Sequence, residues 1–298
     1  MSRIVVAFGG NALLPDGASA DAGVRPENVA LAADVVSALA HHTLVVTHGS
    51  GPQVGRLAIQ AEISGSPDPL DVLEAGVEGM VGYLFEREIR SRLPQRPIAT
   101  LITQVEVDPE DPAFDRPAKP IGPKYDRETA ERLAAALGWT VSSEGPAWRR
   151  VVPSPRPRRV LEIDAVNLLL AAGQIVVCGG GGGIPVSVRE DGTLIGVEAV
   201  VDKDHVATLL ALGTGADTLL LLTNVPAVFR DWPERQDPIG FATAAALRAL
   251  ELPAGSMRPK VEAAADFVEA GGKAAVIGAM QDALAMLAGV AGTRVTRG

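Results

Sequence analysis

Three glycine turns and three lysines mark out the chemistry this sequence could perform. Gly9, Gly10 and Asn11 follow the run "RIVVAF", and Gly49, Ser50 and Gly51 follow "TLVVTH". Gly179, Gly180, Gly181, Gly182 and Gly183 follow "IVVC". Backbone N–H groups freed of side chains approach an anion closely, and a helix N-terminus adds partial positive charge. Turns of this kind, each closing an apolar run, point to phosphate or substrate binding. A tight strand-to-helix turn is the plain alternative at any one of them. The pattern is neither GxGxxG nor a phosphate loop closed by GK[ST], so a nucleotide fold of another type is indicated.

Charges set in apolar surroundings agree. "VVDKDHVATLLA" places Asp202, Lys203 and Asp204 between an aliphatic run and a helix. A lysine there can meet phosphate as a point charge, held in position by a carboxylate. Helix capping alone would also account for Asp204. In "GSMRPKVEAA" Pro259 suits a first helical turn and Lys260 follows at once. A cation at that end opposes the helix dipole unless an anion lies between them. Lys119, in "RPAKPIGPKYD", stands among prolines, where solvation and function explain it equally well. The four histidines lack metal-ligand spacing, so no metal site built by the chain is expected. His48 reads as a structural hydrogen-bonder. Cys178 reads as a small buried hydrophobe without a His–Asp companion. Trp232 reads as packing, with a place beside a nucleotide base as the alternative.

These residues need a scaffold, and the 298-residue chain, 47% hydrophobic and 21% charged, has the profile of a compact α/β protein. The net charge of −9 shows no basic excess for nucleic acid, so positive charge must be concentrated locally. No apolar run approaches a membrane span. The single cysteine rules out an intramolecular disulfide, and the opening residues show no basic-then-apolar leader. A soluble protein of a reducing cytoplasm is expected.

Continuous aliphatic runs over 4–8, 43–47, 98–103, 175–178, 218–223 and 274–278 read as strands buried on both faces. Helical patterns occupy 28–40, 70–93, 127–137, 164–172, 205–213, 242–250, 259–270 and 280–288. This alternation predicts a mostly parallel sheet between two helical layers, with ligand at the carboxyl ends of the strands. The proline- and charge-dense stretch 108–157 reads as a flap or lid excursion within one domain spanning 1–298. A mobile flap of this kind would close over substrate.

The segments "VVAFGGNALL", "VVTHGSGPQVG", "KPIGP", "WRRVVPSPRP", "VVCGGGGGIPV", "VEAVVDKDHVATLLA" and "GSMRPKVEAA" occur in the order found in carbamate kinases, of the amino acid kinase superfamily. The resemblance runs from Ile4 to about Gly278. It implies an αβα sandwich around a largely parallel eight-stranded sheet, usually as a homodimer. It also implies reversible phosphoryl transfer between ATP and carbamate, giving ADP and carbamoyl phosphate, often in arginine breakdown. Carried over by motif, Gly9, Gly10 and Asn11 would hold the transferred phosphoryl group, and Gly49, Ser50 and Gly51 the carbamate side. Lys203 and Lys260 would grip nucleotide phosphates, with Asp204 orienting them. Lys119 would reach carbamoyl phosphate from the flap, and the run 179–183 would bring backbone against ligand. Thr223, Val225 and Trp232 would border the nucleotide, and Mg²⁺ would bridge its phosphates. The sequence departs from the family pattern at Ser50, usually asparagine, at Lys124, usually aromatic, and over 224–235. A kinase for another small acid, or a silent ligand sensor, are the competing readings.

Overall fold

The strands assemble because their aliphatic runs have two apolar faces to cover. The computed structural model describes residues 2–10, 26–65, 68–230, 237–252 and 257–298. Among these, the main sheet has eight strands: β1 (Arg3–Phe8), β2 (Thr43–His48), β3 (Ile98–Thr100), β4 (Ile175–Val177), β5 (Thr218–Thr223), β6 (Phe241–Thr243), β7 (Ala274–Ala279) and β8 (Thr293–Thr296). Their spatial order is β6-β8-β7-β5-β1-β2-β4-β3. Every neighbouring pair is parallel except β7 and β8.

Alternation within each strand divides the interior into two cores. Val5, Ala7, Val45, Leu219, Leu221 and Ile277 belong to one. Helices α5 (Ile163–Ala171), α6 (Lys203–Gly213), α7 (Ala244–Arg248) and α8 (Met257–Glu269) cover it. Ile4, Val6, Phe8, Val46 and Leu222 belong to the other, under α1 (Pro26–Ala38), α2 (Gly51–Ser64), α3 (Leu70–Arg92) and α9 (Ala283–Leu287). This is the expected three-layer αβα sandwich.

Local readings change in several places: the helix read over 242–250 begins as strand β6 and is helical only over Ala244–Arg248. The run 98–103 is not one strand: Ile98–Thr100 pairs with β4, and the chain then crosses to a second sheet through Gln104–Val107. That sheet runs Leu194–Gly196, Ile184–Val188, Gln104–Val107, Pro157–Val160 in space. The helix α2 was not foreseen, because "GPQVGRLAIQAEIS" begins with glycine and proline and carries a second glycine. Pro52 nonetheless suits its first turn, and Gly65 closes it at φ +74°.

Within the proline-rich stretch, Lys119–Tyr125, Thr140–Glu144 and Ala147–Val152 form a three-stranded antiparallel sheet. Helix α4 (Arg127–Leu137) packs on it, capped by the Asp126 side chain, which accepts from Thr129 N. Helix α2 packs against Lys119–Tyr125 and so joins this subdomain to the β2 turn.

Candidate active site

The carboxyl ends of β1, β2 and β5 finish level. Phe8 is in register with His48 on one side and Leu222 on the other. Gly9 N donates to Leu222 O at 2.8 Å, and Gly49 N donates to Phe8 O at 3.0 Å. A Cβ on Gly49 would stand 2.6 Å from Gly10 N and 3.4 Å from Lys203 Cε. Only glycine lets the two turns touch with that lysine beside them. Gly51 opens α2. Thr223 is buried at the end of β5, its hydroxyl donating to Asn224 Oδ1 at 3.3 Å, and Val225 is half-buried beyond it. Asn11 and Trp232 lie outside the described residues.

The three lysines come from three separate elements and meet two aspartates. Asp204 bridges two of them: its Oδ1 accepts from Lys203 Nζ at 2.5 Å and its Oδ2 from Lys260 Nζ at 2.9 Å. All three side chains are buried, which makes these interactions much stronger than surface pairs. Burial alone would raise the Asp204 carboxyl, but Lys203 and Lys260 hold it low. Burial lowers Lys203 to about 8 against the attraction of Asp204, and repulsion from Lys260 adds to the fall. The helix cap is Asp202, not Asp204: Asp202 Oδ1 accepts from Asp204 N at 3.0 Å. Asp202 Oδ2 accepts from Lys119 Nζ. Lys119 is therefore held by a carboxylate and not only by its prolines. Burial disfavours charge on both partners, yet Lys119 keeps Asp202 well below the usual carboxylate range, and Lys119 is raised in return. The anion expected beside Lys260 is Asp204 itself.

The glycine run lies against protein on most sides. Gly179 N donates to Thr103 Oγ1 and Gly180 N to Glu78 Oε1, each at 2.9 Å. Gly182 N and Gly183 N donate to Gly179 O and Gly180 O. Four of the five N–H groups are thus taken by protein acceptors, and the run is not an open nest for phosphate. The crowding is also with protein. A Cβ on Gly180 would stand 2.3 Å from the His48 ring, and one on Gly181 2.2 Å from Ser50 Oγ. Corresponding positions on Gly182 and Gly183 would strike Val201 O and Val105 Cγ2.

Two glutamates that the sequence reading passed over stand behind the Ser50 turn. Glu74 and Glu78 lie on the buried face of α3 with Leu73, Val77 and Val81. Glu74 Oε2 is hydrogen-bonded to Ser50 Oγ at 3.2 Å. Glu78 accepts from Thr103 N and Gly180 N, both at 2.9 Å, and so ties the glycine run to α3. Burial raises Glu78 to about 7 although those hydrogen bonds oppose it. The available signal was two acids an α-helical turn apart inside an apolar stripe.

His48 is buried and stacks on Phe85, ring centroids 5.3 Å apart. Burial lowers it to about 4, so it is neutral and suits packing rather than base chemistry. Cys178 is free and buried, and burial pushes its thiol up, as expected of an inert hydrophobe. Lys124 pairs with Glu144 at 3.2 Å on the exposed side of the antiparallel subdomain.

A sheet with helices on both faces, level glycine turns at its carboxyl ends and buried lysines sharing carboxylates define a phosphotransferase site of the amino acid kinase type. A sequence model of the amino acid kinase family matches residues 2–279, and the chain belongs to that family. Its full-length relatives include the carbamate kinase of Haemophilus influenzae, 47% identical over 99% of this chain and 97% of the relative. The carbamate kinase of Escherichia coli is 44% identical over 99% of this chain and 100% of its own length. In three dimensions, carbamate kinase from Giardia lamblia bound to citric acid matches with a TM-score of 0.92 at 34% identity, over 99% of this chain and 98% of that one. The same enzyme bound to AMP-PNP matches with a TM-score of 0.87 at 34% identity over the same shares.

Proposed function

We infer that this protein is an ATP-dependent phosphotransferase that interconverts ATP and carbamate with ADP and carbamoyl phosphate. The observation that carries this reading is the Lys203–Asp204–Lys260 bridge standing against the touching Gly10 and Gly49 turns. Carbamate is already an anion, so its oxygen attacks the γ-phosphorus without a general base. The task is to hold two anions in line and to stabilise charge on the transferring phosphoryl oxygens. Buried ammonium groups and backbone N–H groups do that without reorganising.

In this reading Lys203 and Lys260 hold the nucleotide phosphates, with Asp204 fixing both. Gly9, Gly10 and Asn11 receive the transferred group. Gly49, Ser50 and Gly51 face carbamate, and Lys119 reaches carbamoyl phosphate from the antiparallel subdomain 119–152, the part of the 108–157 flap that closes over it. Thr223, Val225 and Trp232 border the nucleotide. The described residues contain no cluster of three His, Cys, Asp or Glu able to hold a metal, and both site aspartates already serve lysines. This donor set fits Mg²⁺ carried by the nucleotide's own phosphates, where it would neutralise their charge. The homodimer is part of the same reading, supported by Val72, Met80 and Tyr83, 51%, 38% and 60% exposed on α3. So is a cytoplasmic location, supported by a free buried cysteine and by the lack of any described helix long and apolar enough to span a membrane.

The test is ATP formation from ADP and carbamoyl phosphate. Turnover with that pair supports the reading. Turnover only with other small acids assigns the protein to a different acceptor, and tight binding without turnover makes it a sensor.

A further inference from the structure

The reaction as described leaves one buried carboxyl without a role. Glu74 is 1% exposed, and of its two oxygens Oε2 meets Ser50 Oγ while Oε1 has no hydrogen-bond partner. Gly181 closes over the pair, since a Cβ there would stand 2.2 Å from Ser50 Oγ and 2.6 Å from Glu74 Oε2. The charged and titratable groups that face Glu74 are Glu78 from its own helix and Lys119 from the antiparallel subdomain.

A hydroxyl has one proton to give. Beside a carboxylate, which only accepts, Ser50 must turn that proton inward and show lone pairs to an incoming anion. Beside a carboxylic acid, the acid O–H donates to Ser50 Oγ, and the serine proton is free for a substrate oxygen. We propose that Glu74 is a positioning residue that acts as a neutral acid, turning Ser50 into a hydrogen-bond donor toward the carbamate end of carbamoyl phosphate. This rests on the carbamate kinase reading given above. Burial raises the Glu74 carboxyl to about 8, the Ser50 hydrogen bond and Lys119 opposing and Glu78 adding to the rise, so the acid form holds at neutral pH.

The experiment follows ATP formation from ADP and carbamoyl phosphate between about pH 6.5 and about pH 9.5, with separate KM values for each substrate. In the unsubstituted protein KM for carbamoyl phosphate rises roughly tenfold per pH unit once Glu74 ionises. Lys203 titrates in the same range, so KM for ADP is the internal reference. Glu74→Gln, whose amide donates to Ser50 at every pH, abolishes the rise for carbamoyl phosphate and leaves the ADP profile in place. Ser50→Ala abolishes the same rise, because the hydroxyl transmits it. A rise that persists in Glu74→Gln overturns the proposal. One that persists in Ser50→Ala overturns it too, since the charge would then act directly. Thermal unfolding of both variants verifies folding, and either variant alone suffices for the decision. Absence of ATP formation by the unsubstituted protein at every pH overturns the reaction and this proposal together. ATP formation with an unaltered Glu74→Gln profile overturns this proposal only.

Discussion

Lys260 Nζ meets Asp204 Oδ2 at 2.9 Å, joining the first turn of α8 to the first turn of α6 across 56 residues of sequence. Both side chains are almost entirely buried, and Lys203 occupies the other oxygen of the same carboxylate. One acid therefore sets the position of two cations, and removing it strands both.

Asp204→Asn should cost about 3–5 kcal/mol of stability, the range for breaking a buried ion pair from one side. It should also lower kcat by about a hundredfold or more, as should Lys203→Ala or Lys260→Ala, the scale for losing one preorganised electrostatic contact. Denaturant unfolding and steady-state rates measure the two effects. Near-normal turnover in both lysine variants would remove these residues from the site.

Lys119 and Lys203 should divide the substrates. Lys119→Ala should weaken carbamoyl phosphate and slow transfer while changing nucleotide affinity little. Lys203→Ala should weaken the nucleotide. The ion pair between Lys119 and Asp202 makes this a sharper test, because Asp202 also caps the helix that carries Lys203. Calorimetric titration with ADP alone decides it, and an equal loss in both variants would place Lys119 in the nucleotide site.

Gly181→Val should lower stability as well as binding. Gly181 sits at φ +74°, where a side chain is strained, and a Cβ there meets Ser50 and Glu74. The combined strain and overpacking should cost about 2–5 kcal/mol. A stable variant with weak substrate binding would instead put ligand, not protein, against this glycine.

Stability should fall as pH rises through the neutral range. The Glu74 and Glu78 carboxyls sit at about 8 and about 7, raised from 4.5 by burial. Each binds its proton more tightly folded than unfolded. Their contribution is therefore complete below pH 4.5 and is lost as pH climbs through 7 and 8. Lys203 is lowered to about 8 from 10.5, so its contribution has the opposite sign and recovers between those values. His48, lowered to about 4 from 6.5, opposes the two glutamates below pH 6.5, so melting temperatures should decline from about pH 6.5 to about pH 8, and Glu74→Gln should flatten the upper part of that decline. A flat profile in the unsubstituted protein would mean that both glutamates ionise normally.

The strands and most helices were legible because they depend on local pattern. "RIVVAF" and "TLLLLT" are continuous aliphatic runs, and such runs stay buried wherever a parallel sheet places them. Arg127–Leu137 was readable to the residue because Asp126 and Gly138 mark its two ends. The three lysines and Asp204 were legible for a related reason: a charge set in apolar sequence needs a partner or a ligand. Which partner each takes was not legible. Lys119 and Asp202 are 83 residues apart, and only the packing of the antiparallel subdomain beside α6 brings them together. The glycine run shows the same limit. Five residues without side chains announce a close approach, but not whether ligand or protein approaches. Folding places His48, Ser50, Glu74 and Val201 there, and their atoms fill the space that a Cβ would need. Local propensity and hydrophobic period are properties of a segment, so the sequence alone determined the elements and the residues able to do chemistry. Burial and ion pairing are properties of surroundings assembled from distant segments. The acid state of Glu74, the shared grip of Asp204 and the closure of Gly181 over Ser50 therefore arose only with the tertiary structure.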